Sequence, residues 1–258
     1  MGGDTPLGGL IWSDLAPRPG WEQMALDQTM LERAALDGTA LLRLYRWSRD
    51  TISFGMNEPA LRHWDRARLL DGGPPLVRRP TGGRAVWHAA SDLTYAWTAP
   101  AHRIGTARET YHLVHRTLAS ALRRLGVPAE LAPDPARLPG LRRGACFENA
   151  VGGEVIVQGV KVIGSAQLVS GGGLLQHGEI SLGDRLAPLA VFRAGEASAP
   201  AAGQWPSLPG PEAIADAIAA EWLAGGAEPA AQELTTWAER TSVQHAERYR
   251  DPAWTWRR

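Results

Sequence analysis

Residues 154–182 read EVIVQGVKVIGSAQLVSGGGLLQHGEISL, and the pattern of this stretch decides the fold class. Glu154 to Val157 and Val160 to Ala166 are β-branched runs. Gln158-Gly159 between them is a hairpin signal in which Gly supplies a positive φ. Gly171-Gly172-Gly173 reads as a flexible link into LLQHGEISL. Strands joined by so short a turn run antiparallel. Upstream, LLRLYRW (41–47) alternates in polarity and Thr51 to Phe54 is a short β run, so the two read as paired strands around Ser48-Arg49-Asp50. LVRR (76–79) enters a Pro-Thr-Gly-Gly break and leaves as RAVWH, and Asp92 to Thr98 alternates again.

Helical periodicity marks Trp21 to Leu36, closed by Gly38, then a short Pro59 to Leu70, Pro211 to Ala224 and Glu233 to Arg248. The longest predicted helix is Thr106 to Leu125, with Tyr111, Val114, Leu118, Leu122 and Leu125 on one stripe and Gly126 as its stop. Residues 132–144 and 194–211 read as loops. Helices and strands mix without strict alternation, which predicts α+β: a mixed, largely antiparallel sheet flanked by helices.

Composition narrows the function. The 258 residues carry 27 basic and 27 acidic side chains, a balance that argues against a nucleic-acid partner. A single cysteine, Cys146, excludes an internal disulfide and a zinc site built from thiolates of this chain. No apolar run is long enough to span a membrane. The N-terminal MGGDTPLGGLIWSD lacks the charge and apolar run of a signal peptide. A soluble cytoplasmic protein with no membrane partner is expected.

Three segments can carry chemistry. In RRPTGGRAVWH (78–88) two arginines precede glycines that allow a ligand to approach the backbone; the alternative is a plain hairpin with exposed arginines. Cys146 in GACFENAVGGEV is either a small buried apolar residue or a partly exposed thiol between polar loops. Lys161 in VKVIGSAQ sits opposite in parity to Val160 and Val162, facing a cleft or solvent. Beside Cys146 its charge would favour the thiolate. His112 and His115 share a helix face, but without a third ligand they read as a polar face rather than a metal site. His88 and His177, beside Gly-rich segments, are the better site candidates.

Taken together, RRPTGGRAVWH, VQGVKVIGSAQ and LLQHGEISL resemble the biotin/lipoate protein ligase family, in its lipoate-attachment branch. WEQMALDQTML with LLRLYRW and TISFG at the front, and ELTTWAERTSVQHAERYRDPAWTWRR at the back, extend the resemblance along nearly the whole chain. Ala145-Cys146-Phe147 stands where ATP-dependent ligases carry an Asn-Asp pair, and Arg84 where they commonly show a third glycine. Both features are similar to the octanoyl-acyl carrier protein:protein N-octanoyltransferases.

The resemblance implies a biotin/lipoate ligase catalytic-domain-like fold. It also implies a single catalytic domain over 1–258, its core at about 36–225 and C-terminal helices at 211–250 packed on it. It implies transfer of an octanoyl group from octanoyl-acyl carrier protein, through a Cys146 thioester, to a lysine of a glycine cleavage H protein or a dehydrogenase lipoyl domain, without a cofactor or metal. Lys161 would assist Cys146. Arg79, Gly82, Gly83 and Arg84 would form one wall of the acyl pocket, with His88 nearby. Gly164, Ser165, Ala166, His177 and Gly178 would form the other. Arg78, Arg79, Arg84, Arg142 and Arg143 are the expected basic docking face for acidic protein partners. The alternatives are an ATP-dependent lipoate or octanoate ligase and a non-catalytic binder of lipoyl domains. Ala89 stands where the family has an aspartate and Asn57 where it has a glutamine; Asn149 to Gly153 replaces a more aromatic stretch.

Overall fold

The computed structural model describes residues 7–103, 105–133, 152–195 and 204–258. Leu42 and Leu44 are buried in one apolar cluster, while their neighbours Leu41 and Tyr45 are buried in another. A strand apolar on both faces must be covered from both sides, and the elements are arranged to do that.

In chain order these are β1 (Leu10–Arg18), α1 (Gly20–Asp37), β2 (Leu41–Trp47), β3 (Thr51–Phe54), α2 (Ala60–His63), α3 (Arg66–Leu70), β4 (Leu76–Arg78), β5 (Val86–His88) and β6 (Leu93–Pro100). There follow α4 (Ala107–Arg124), β7 (Ala129–Leu131), β8 (Val155–Val157), β9 (Val160–Ser170) and β10 (Gly173–Ile180). The last are α5 (Leu186–Ala190), α6 (Pro211–Ala224), β11 (Glu228–Pro229), α7 (Gln232–Arg250) and α8 (Pro252–Thr255).

Eight strands form one sheet in the order β11-β1-β2-β6-β10-β9-β8-β7. β1 runs parallel to β2 and β11, and the other pairings in that sheet are antiparallel. A second sheet has the order β4-β3-β5, with β4 parallel and β5 antiparallel to β3. Helices α4 and α6 cover one face of the large sheet, and α1 and α7 the other. A third cluster, with Phe54, Trp64, Leu69, Leu189 and Trp256, packs the small sheet.

Local chemistry explains the well-read elements. Thr106 and Glu109 form a capping box at the start of α4, and Gly38 ends α1 in the left-handed region (φ 75°). At the β8–β9 hairpin both Gln158 (φ 51°) and Gly159 (φ 78°) are left-handed, as a two-residue turn requires.

Five expectations are corrected. β2 and β3 do not pair: β2 lies between β1 and β6, and β3 between β4 and β5, so Ser48–Asp50 carries the chain from one sheet to the other. β4 and β5 are not a hairpin, because each instead pairs with β3. The helix expected over 59–70 breaks at Trp64, whose extended backbone bridges Arg193 and whose buried indole donates to Glu58 (3.1 Å); Asp65 then caps α3. Gly171-Gly172 is a tight turn rather than a flexible link, since Ser170 pairs with Gly173. α7, at 19 residues, is longer than α4 at 18. β1, β7 and β11, three strands without strong β patterning, were not anticipated.

One buried cation ties β1, α1 and β2 together. Arg43 is fully buried and donates to Asp14 (2.6 and 3.0 Å), to Asp27 (3.4 Å) and to Gln23. Removing a buried cation while leaving its carboxylates costs about 3–5 kcal/mol. Arg43→Leu is therefore expected to lower stability by about that much in urea unfolding. A loss under 1 kcal/mol on the same scale would contradict this account.

Candidate active site

The large sheet's α1 face and the small sheet do not close on each other completely. Between them lies a cavity whose floor is largely apolar: Met24 of α1, Tyr45 and Trp47 of β2, and Val86 of β5. Thr94, Gly164, Ser165, Ala166, His177, Gly178 and Glu179 line it from the large sheet; Ser53, Arg79 and His88 line it from the small one.

Most of its polar groups belong to two hydrogen-bonded chains. In the first, Arg79 Nη1 donates to Ser53 Oγ (3.0 Å), which is bonded to His88 Nε2 (2.7 Å). His88 Nδ1 meets Glu179 Oε2 (2.5 Å), which also accepts from Thr94 (2.6 Å). Trp47 donates to Thr94 (2.7 Å) and stacks on the His88 ring at 4.1 Å, fixing the ring's plane. In the second, His177 Nδ1 donates to Asp27 (2.8 Å) and Nε2 bonds Thr81 (2.6 Å). Asp27 also accepts from Tyr45 (3.1 Å) and Arg43, so this chain runs into the buried charge network under α1.

On the α4 side of the large sheet, Ser165 Oγ is bonded to Tyr95 (2.6 Å) and His115 Nε2 (2.8 Å). Gly178 makes this possible: a Cβ there would stand 2.2 Å from Ser165 Oγ and 2.6 Å from the Gly164 carbonyl.

Seven of the residues expected in the site line the cavity: Arg79, His88, Gly164, Ser165, Ala166, His177 and Gly178. Gly82 and Arg84 instead present carbonyls that accept from Arg79 Nη2 (2.8 and 2.7 Å), orienting its guanidinium, and Gly83 takes the left-handed turn beside it (φ 91°). Lys161 is buried and pairs with Glu154 (2.7 Å) rather than lining the cavity. That carboxylate also accepts from Tyr111 (3.3 Å). Cys146, Arg142 and Arg143 lie outside the described residues.

The reading of Arg78 and Arg79 as an exposed docking face is corrected. Both are buried, and Arg78 donates to the carbonyls of Gly55 (2.6 Å), Glu58 (2.9 Å) and Thr255 (2.9 Å). Burial, and then the nearby Arg257, lower its pKa to about 10. His115 is likewise no polar surface group, being fully buried. Sequence reasoning missed Ser53, Trp47, Thr94, Asp27 and Glu179. Only Glu179 carried a usable signal, since it shares strand parity with His177 two positions earlier. Among the described residues, no three His, Cys, Asp or Glu side chains gather to hold a metal, and no helix is long and apolar enough to cross a membrane.

Burial lowers His115 to a pKa of about 3 and holds His88 well below its ordinary 6.5, with Arg79 and His177 adding to the effect on His88. Burial, then the charge of Asp92, raises Glu179 well above 4.5. Unfolded histidines take up protons below 6.5 while these two do not, so their contribution is lost as pH falls from 6.5. Glu179 acts oppositely: it keeps its proton when folded, and its contribution is lost as pH rises above 4.5. Each proton difference changes stability by about 1.4 kcal/mol per pH unit. Two histidines outweigh one carboxyl, so stability from these groups rises between about pH 4.5 and 6.5. Urea unfolding of His115→Gln at several pH values is expected to show a shallower rise over that window; an unchanged slope would contradict the assignment.

The model of the lipoyl protein ligase A/B catalytic domain matches residues 19–203. The chain is 38% identical over 165 residues to Octanoyltransferase LipM of Carboxydothermus hydrogenoformans, covering 62% of this chain and 60% of that protein. It is 38% identical over 175 residues to Octanoyltransferase LipM of Symbiobacterium thermophilum, covering 66% and 64%. It thus spans about three fifths of the length of these relatives. A lipoate-protein ligase A crystallised with ATP superposes with a TM-score of 0.74 at 16% identity, covering 96% of this chain and 98% of that one. A bipartite lipoate protein ligase of Thermoplasma acidophilum superposes with a TM-score of 0.70 at 16% identity, covering 96% of each. These likenesses support the expected fold. A family model matched over most of the chain, on a fold shared along its whole length, means that this protein belongs to the lipoyl protein ligase A/B catalytic-domain family.

Proposed function

We propose that the chain is a single catalytic unit that moves an octanoyl group from octanoyl-acyl carrier protein to a lysine of a lipoyl-carrier protein. The carrier is a glycine cleavage H protein or a dehydrogenase lipoyl domain, and the setting is the cytoplasm. The observation that carries this reading is the cavity between the sheets, in a chain whose curated relatives are named octanoyltransferases. Met24, Tyr45, Trp47 and Val86 suit an aliphatic chain, each buried methylene contributing about 0.8 kcal/mol. The backbone of Gly164–Ala166 and Gly178 allows close approach along one wall.

In the proposed mechanism, the Cys146 thiolate attacks the donor thioester, the carrier thiol leaves, and an acyl-cysteine forms. The acceptor lysine amine then attacks that thioester and releases Cys146 as a thiol, forming an amide. Lys161 stabilises developing negative charge on the thiolate and carbonyl oxygen; its pairing with Glu154 (2.7 Å) holds its ammonium in place. Arg79, oriented by the Gly82 and Arg84 carbonyls, forms the polar wall with His88 and His177.

Intact-mass measurement after mixing with octanoyl-acyl carrier protein is expected to show one octanoyl adduct on Cys146, absent in Cys146→Ala. Absence of any adduct on the native protein, together with activity on free octanoate that requires ATP, would replace this reading with the ligase one. Met24→Trp, which fills the cavity floor, is expected to slow octanoylation by roughly 10- to 100-fold and to favour shorter acyl donors. Equal rates across chain lengths would place the acyl chain elsewhere.

A further inference from the structure

The chain Ser53–His88–Glu179 has more order than a pocket wall needs. Arg79 Nη1 donates to Ser53 Oγ at 3.0 Å, so the hydroxyl hydrogen is directed at the remaining neighbour, His88 Nε2, at 2.7 Å. A neutral His88 then carries its hydrogen on Nδ1 and donates it to Glu179 Oε2 at 2.5 Å. Glu179 Oε2 also accepts from Thr94 at 2.6 Å, and its buried Oε1 has no hydrogen-bond partner. Burial, then the charge of Asp92, raises the pKa of this carboxyl. Asp92 itself is held by Arg185 (2.7 Å). This assignment gives the serine and histidine hydrogens acceptors and leaves the lone pair of a neutral imidazole on a serine hydroxyl.

We propose that Ser53, His88 and Glu179 form a second nucleophilic centre in the cavity, where Ser53 is acylated by activated medium-chain acyl esters or thioesters and then hydrolysed. The proposal rests on the reading of the cavity as an acyl pocket. Ser53 Oγ bonds to the acyl carbon as the C–S or C–O bond breaks. Its proton passes to His88 Nε2 and on to the leaving thiol or alcohol. Water then adds to the Ser53 ester, giving a proton to His88, which returns it to Ser53 Oγ as the free acid leaves. Arg79, already at Ser53 Oγ, is the cation beside the developing oxyanion. Glu179 orients the ring through its contact with His88 Nδ1.

The test uses the full chain carrying Cys146→Ala, treated with an alkyl fluorophosphonate, which forms a Ser–O–P bond and releases fluoride. Label is expected in the tryptic peptide 50–62, lost in Ser53→Ala. Hydrolysis of p-nitrophenyl octanoate by the Cys146→Ala chain is expected to fall by roughly 100-fold with His88→Asn, the scale of a lost general base. Ser53→Cys, in the same background, is expected to bring iodoacetamide alkylation to peptide 50–62, showing that the site is folded and reachable. Absence of both labels in folded protein, or label that persists in Ser53→Ala, would overturn the proposal. Label on Ser53 without acylation of Cys146 in the native chain supports this centre and overturns the transfer reading alone. Acylated Cys146 with Ser53 unlabelled does the reverse.

Discussion

Arg43, on the second strand of the large sheet, is fully buried, and the structure around it is organised to satisfy that charge. Asp14 comes from β1, Gln23 and Asp27 from α1, and the Tyr45 ring lies 4.3 Å from the guanidinium carbon. A buried cation is tolerated only when surrounded in this way. Because α1 is held by Asp27, Met24 on the same helix is held as well, and it forms part of the cavity floor. Because Asp27 also receives His177, β10 is fixed against α1 from the other side. One charge therefore helps to set the width of the cavity. Its outer partner Arg18, bonded to Asp14, Glu22 and Glu239, extends the same arrangement to α7.

Helix ends and hairpin turns were legible in the sequence because they depend on local chemistry: Gly38, Gln158-Gly159 and Thr106 each act on residues a few positions away. Strand partners were not, since pairing depends on edges contributed from far along the chain. Nothing in Thr51–Phe54 says that both its neighbours are β4 and β5 rather than β2. β1, with SDLAPR in its second half, lacks a β pattern because Asp14 and Arg18 serve the Arg43 network. In the site, glycines and histidines next to one another in sequence could be recognised. Ser53, Thr94 and Trp47 could not, because they have meaning only once three strands from two sheets converge.

The two sheets divide the work of the cavity. The large sheet supplies a wall in which Gly164 pairs with Glu179 and Gly178 with Ser165. The small sheet supplies polarity, and both of its arginines donate to main-chain carbonyls. A carbonyl orients a guanidinium without cancelling its charge. Arg78, on the opposite side of β4, spends its charge fastening the Gly55–Glu58 loop and the segment at Thr255 to the small sheet.

The pairing of Leu10 with Glu228, and the packing of α1 against α7, set the order in which the molecule can be assembled. These contacts join residues separated by most of the chain, and closing so long a loop is entropically unfavourable and slow. During synthesis from the ribosome, the central antiparallel strands can pair while α7 is still unmade. Helix α1 then has a charged inner face and no outer cover. The cavity it helps to bound reaches its final shape only after the last third of the polypeptide has emerged, so a nascent chain has the first strands of the wall before it has the enclosure.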